Sequence, residues 1–138
     1  MIKEIVKDTE ILTQKSEKFV VGQDEPLIQD MIDTASEFGE HCVGLACVQI
    51  GVPKRVIIVK QGEKYVPYRN PSIIGKSPKT YTAEETCLSL EGKRTVRRHK
   101  QIKLLYVDKN GKSKIQVFSG FVAQIIQHEC DHLNGVLI

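Results

Sequence analysis

The sequence predicts an α+β fold: antiparallel strands around a central C-terminal helix, plus a short N-terminal helix. Three observations predict it. Apolar residues recur at helical spacing over 27–35 and again over 121–133, β-branched runs fill the middle of the chain, and Asn110-Gly111 separates two of those runs as a hairpin would. With 138 residues, 41% hydrophobic and 27% charged, the chain can bury one core as a single domain over 1–138 without disulfides.

Asp24 stands as a cap before Glu25 and Pro26, residues that suit a first helical turn. Leu27, Ile28, Met31, Ile32 and Ala35 then form an apolar stripe that ends near Gly39, so this helix is expected to serve packing. Val56-Ile57-Ile58-Val59 lies between Pro53 and Gly62 and reads as a buried strand. Ile102 to Val107 and Ile115 to Phe118 are the two arms of the Asn110-Gly111 hairpin, while Pro53, Pro67, Pro71 and Pro78 punctuate the rest into turns and short strands. The last helix begins at Ser119 or Gly120 and ends at Gly135, where a left-handed residue is wanted.

Composition excludes several function classes. A formal charge of +3 gives no basis for nucleic-acid binding. No apolar run approaches the roughly 18 residues that span a bilayer. The opening Met1-Ile2-Lys3-Glu4-Ile5-Val6-Lys7-Asp8 lacks the apolar stretch of a secretory signal, so a cytoplasmic protein is expected. Its four cysteines, Cys42, Cys47, Cys87 and Cys130, are then expected to be reduced.

At about 100° per residue, Phe121, Ile125, His128 and His132 share one stripe of the last helix. Val122, Ile126, Glu129 and Leu133 form the adjacent stripe, and Gln124, Gln127, Asp131 and Asn134 lie opposite. Both histidines and Glu129 therefore point into the apolar face, where polar groups without partners are costly. Histidines at i and i+4 with a glutamate between them form the H-E-x-x-H pattern of a metal site. A third ligand is required. Asp131 points away, and His41 and His99 sit in polar surroundings. Cys87, within Glu85-Thr86-Cys87-Leu88-Ser89, fits better. One thiolate and two imidazoles leave a tetrahedral position open for catalysis, whereas a closed structural zinc would need a fourth ligand such as Cys47.

Three segments resemble the signature motifs of the peptide deformylases, in order. Gly44-Leu45-Ala46-Cys47-Val48-Gln49-Ile50-Gly51 resembles G-x-G-L-A-A-x-Q-I-G, and Glu85 to Ser89 resembles E-G-C-L-S. Gln127-His128-Glu129-Cys130-Asp131-His132-Leu133-Asn134-Gly135 resembles Q-H-E-x-D-H-L-x-G without departure. The resemblance implies Cys87, His128 and His132 as metal ligands, for Fe²⁺ natively, with Zn²⁺, Ni²⁺ or Co²⁺ able to substitute. It implies Glu129 as general base and acid, and Gln49 with the Leu88 backbone N–H as donors to the oxyanion. The substrate would be an N-formylmethionyl peptide, with Gly44, Thr86, Leu88, Ile125 and His128 as candidate substrate-binding residues. Glu85 is a candidate acceptor for a histidine ring, and Arg94 stands where the family often has an arginine.

Cys42, Cys47, Val48 and Thr86 depart from the family's pattern. Thr86 replaces a glycine beside the ligand cysteine and narrows the backbone choices there. These departures leave a second expectation open: a deformylase-like paralogue that binds peptides with lost or altered turnover. An H-E-x-x-H peptidase fits less well, because its third ligand is ordinarily His or Glu. The chain ends soon after the last helix, without the long C-terminal helix some deformylases use at the ribosome. The basic run Lys93, Arg94, Arg97, Arg98, His99, Lys100 and Lys103 offers transient ribosome contact in its place, but reads better as a solvated strand and turn.

Overall fold

A computed structural model describes residues 1–138. Its helices are α1 (Thr9–Leu12), α2 (Glu25–Phe38) and α3 (Gly120–Leu133). Its strands are β1 (Gly44–Ala46), β2 (Val56–Gln61), β3 (Lys64–Lys76), β4 (Thr80–Glu85), β5 (Arg94–His99), β6 (Gln101–Val107) and β7 (Ser113–Ser119). One antiparallel sheet runs β1-β2-β3-β6-β7, and β4 pairs with β5 as a separate hairpin.

The main sheet is covered on both faces, and β2 shows why. Val56, Ile57, Ile58 and Val59 are all fully buried, although side chains alternate along a strand. Ile57 and Val59 join Ile126, Cys130 and Leu133 of α3 in one core. Val56 and Ile58 join Ile28, Met31 and Ala35 of α2 in the other. A continuous apolar run is what a strand buried on both faces requires.

The N-terminal helix forms where expected, and three local expectations need correction. The expected N-terminal helix is α2, with the single-turn α1 ahead of it; Asp8 caps α1 by accepting from the Glu10 N–H at 2.9 Å. Asp24 does stand at the start of α2, but its carboxylate turns back to accept from the Val20 N–H at 2.7 Å. Pro67 and Pro71 lie inside one long strand, β3, rather than dividing the segment into turns and short strands. Pro67 sits where only β2 flanks the strand, and Pro71 falls in a bulge between the Arg69 and Ser72 pairings with β6. A missing N–H is tolerated at both kinds of position. The Asn110-Gly111 hairpin forms, but as a loop over 108–112 in which Asp108 Oδ1 accepts from the N–H groups of Asn110 and Lys112.

Helix α3 is buried almost all round. From Ile125 to Cys130 every residue is buried, and His132 and Leu133 follow. The stripe of Gln124, Gln127 and Asp131 does not face solvent as its polarity suggests, because the β4–β5 hairpin docks there. Gln127 accepts from the His99 N–H at 2.9 Å and donates to the His99 carbonyl at 2.9 Å. Asp131 takes Arg98 Nη1 at 2.7 Å. No helix is long and apolar enough to cross a membrane.

Candidate metal centre and active site

Helix α3 delivers two imidazoles and the loop after β4 delivers a thiol. Cys87 Sγ lies 3.4 Å from His132 Nε2, and His132 Nε2 lies 3.1 Å from His128 Nε2. The donor atoms of Cys87, His128 and His132 all fall within 4.8 Å of one another. A tetrahedral ion with bonds of about 2.0 Å to nitrogen and 2.3 Å to sulfur sets such atoms roughly 3.3–3.6 Å apart. The three residues fit a metal ion.

The surrounding polar groups are arranged to match. His128 Nδ1 is 2.7 Å from Glu85 Oε1, which keeps the proton on Nδ1 and turns the Nε2 lone pair towards the cluster. Burial acts against charging His128, but its contacts with Cys87 and Glu85 win and raise its pKa. A metal ion competes with that proton for the same Nε2 lone pair. Burial and the charge on His128 push His132 the other way, to low pKa. Burial also disfavours the Glu85 anion, yet the Arg98 and His128 hydrogen bonds hold its carboxyl down at about 2. Arg98 grips both Glu85 oxygens, with Nε at 2.9 Å and Nη2 at 2.6 Å.

Glu129 follows the first histidine and has no such partner. Its Oε1 is buried with no hydrogen bond, and burial pushes its carboxyl up to about 7. Gln49 is 2% exposed and held at both ends of its amide. Its Oε1 accepts from the Ala46 N–H at 3.0 Å, and its Nε2 lies 3.3 Å from Cys87 Sγ and 3.1 Å from Ser89 Oγ. A cavity of about 180 Å³ opens beside these groups. Gly44, Gln49, Thr86, Leu88, Ile125, His128 and Glu129 all line it, as do Cys42 and Gln124.

The polypeptide deformylase sequence model matches residues 2–138. The chain belongs to the polypeptide deformylase family. A peptide deformylase from Clostridium beijerinckii is 50% identical over 138 residues, covering 100% of both chains. Among solved structures, the peptide deformylase from Thermotoga maritima superposes with a TM-score of 0.88 at 35% identity, covering 99% of this chain and 95% of that one. The Met-Ala-Ser-bound class I type b enzyme from Acinetobacter baumannii gives 0.89 at 31% identity, covering 99% and 97%. The chain is accordingly a metal-dependent hydrolase, a peptide deformylase with a Cys/His/His site. A binding protein without turnover, the second expectation from the motif departures, is not what these relatives support.

The other residues singled out in the sequence fall around this deformylase site. Cys47 packs in the α2-side core and stands outside the metal cluster, so the closed zinc site has no fourth ligand there. His99 bonds the Ser77 carbonyl at 2.7 Å, and exposed His41 lies on the cavity rim. Phe121, on the histidine stripe, is 61% exposed at the cavity mouth, because α3 begins at the protein surface. Gly44, a candidate substrate-binding residue, lines the cavity from within β1 and packs against α3. A Cβ built there would meet Ile125 Cγ2 at 2.6 Å and Glu129 Oε2 at 2.9 Å. The basic run is no uniform patch, since Arg98 is buried on Glu85 and Asp131. Sequence reasoning did not single out Arg98, Gln124 or Ser89 individually. Each acts across two elements, so no spacing along one element signals it.

Proposed function

We propose that residues 1–138 form one catalytic unit that removes the formyl group from N-formylmethionyl peptides in the cytoplasm. Cys87, His128 and His132 hold the metal, with Fe²⁺ as the native ion and Zn²⁺, Ni²⁺ or Co²⁺ as substitutes. The observation that carries this reading is the convergence of one sulfur and two nitrogens beside a buried Glu129 oxygen with no partner. That Met-Ala-Ser occupies the Acinetobacter baumannii enzyme supports the peptide assignment.

A bound metal would make an attacking water acidic near neutral pH and polarise the formyl carbonyl. Glu129, with a carboxyl at about 7, takes the water proton and returns it to the leaving amine. Water and the formamide thus yield formate and a free α-amine. The Gln49 amide, turned with Nε2 towards Cys87, and the Leu88 backbone N–H donate to the oxygen that gains charge. Gly44, Thr86, Leu88, Ile125 and His128 contact the peptide along the cavity they line.

The test is formate release from formyl-Met-Ala-Ser by anaerobically prepared, Fe²⁺- or Ni²⁺-loaded protein, since thiolate-bound Fe²⁺ is prone to oxidation. Wild type should release formate, and Glu129→Gln should retain metal and lose turnover. Undiminished release by a fully metallated Glu129→Gln contradicts the mechanism.

A further inference from the structure

Three residues of α3, Gln124, Gln127 and Asp131, staple the β4–β5 hairpin to the helix. Gln127 and Asp131 stay out of the cavity, while Gln124 also lines it. We propose that Gln124 is a positioning residue that ties the wall of the peptide cavity to His128 through Glu85. The inference rests on the metal-site reading above.

The hydrogen bonds around Glu85 make the case. Its Oε1 accepts from Arg98 Nη2 at 2.6 Å and from His128 Nδ1 at 2.7 Å. Its Oε2 accepts from Arg98 Nε at 2.9 Å and from Gln124 Nε2 at 3.0 Å. Each carboxylate oxygen thus has two donors, and Gln124 supplies the only one on Oε2 besides Arg98. A flipped Gln124 amide would aim its carbonyl at a carboxylate, so Glu85 fixes the orientation. The Tyr81 hydroxyl then donates to Gln124 Oε1 at 3.0 Å and holds the far end. Both polar atoms of Gln124 are thus engaged on β4. One side chain therefore lines the cavity and restrains the carboxylate that orients His128. Groups that orient a metal-ligating imidazole typically change affinity or activity by about 10–100-fold when removed.

Gln124→Met keeps the stem and removes the donor. Wild type and variant are loaded with Zn²⁺ and mixed with a chromogenic chelator, and kcat and KM for formyl-Met-Ala-Ser are measured in parallel. The expected result is Zn²⁺ release about tenfold faster, a lower kcat, and a KM within about twofold of wild type. Tyr81→Phe, which leaves Gln124 in place and loosens its amide, should shift release in the same direction by less. It also serves as the deciding variant if Gln124→Met does not fold. Release at the wild-type rate in the folded variant, with KM raised instead, makes Gln124 only a wall and overturns the inference alone. Wild type that takes up no equivalent of Zn²⁺ overturns the metal-site reading and the inference with it.

Discussion

A methyl group at position 44 would sit 2.6 Å from Ile125 and 2.9 Å from the Glu129 carboxylate, closer than packed atoms allow. The glycine therefore lets β1 and α3 approach at the Glu129 carboxylate. Gly44→Ala should cost about 1–3 kcal/mol by overpacking and displace Glu129, lowering kcat/KM. Urea unfolding and formate release check this, and full activity at wild-type stability contradicts it. Gln49 is fixed differently, by the Ala46 N–H at one end of its amide and Cys87 and Ser89 at the other. Losing one oxyanion donor typically costs about 10²–10³ in kcat. Gln49→Ala should fall by that much with its metal content unchanged. Retained turnover in the fully metallated variant removes Gln49 from the mechanism.

Among the elements, α3 was the most legible and the β4–β5 hairpin the least. Helical periodicity alone placed His128, Glu129 and His132 inward, because all three lie within one and a half turns of a single helix. The same periodicity put Gln124, Gln127 and Asp131 on a polar face, correctly, but could not say what covers that face. The answer depends on a hairpin whose contacts with α3 span 28 to 43 residues of sequence, and whose strands pair with each other and not with the main sheet. Polar stripes read as solvent-facing until a polar partner is known. Arg98 is the centre of that docking, buried between Glu85 and Asp131. Arg98→Met would leave Glu85 as a buried anion without its cation, at about 3–5 kcal/mol. The urea midpoint should drop accordingly, with weaker metal retention. A loss under about 1 kcal/mol would show that the hairpin is held by other contacts.

Across the whole molecule, two layers of packing converge on one small volume. The sheet with α2 on one face and α3 on the other holds two imidazoles and a glutamate within a buried helix, and the docked hairpin brings the thiol to them. The motif departures at Cys42, Cys47, Val48 and Thr86 leave this convergence intact. Cys47 and Val48 are fully buried in opposite cores, Cys42 is buried at the cavity, and Thr86 is exposed beside it. None of the four supplies a donor atom to the Cys87, His128 and His132 cluster. X-ray absorption on the Zn²⁺-loaded protein tests that geometry directly. One sulfur at about 2.3 Å and two imidazole nitrogens at about 2.0–2.1 Å are predicted, with the sulfur lost in Cys87→Ala. A wild-type spectrum with no sulfur neighbour would contradict the account.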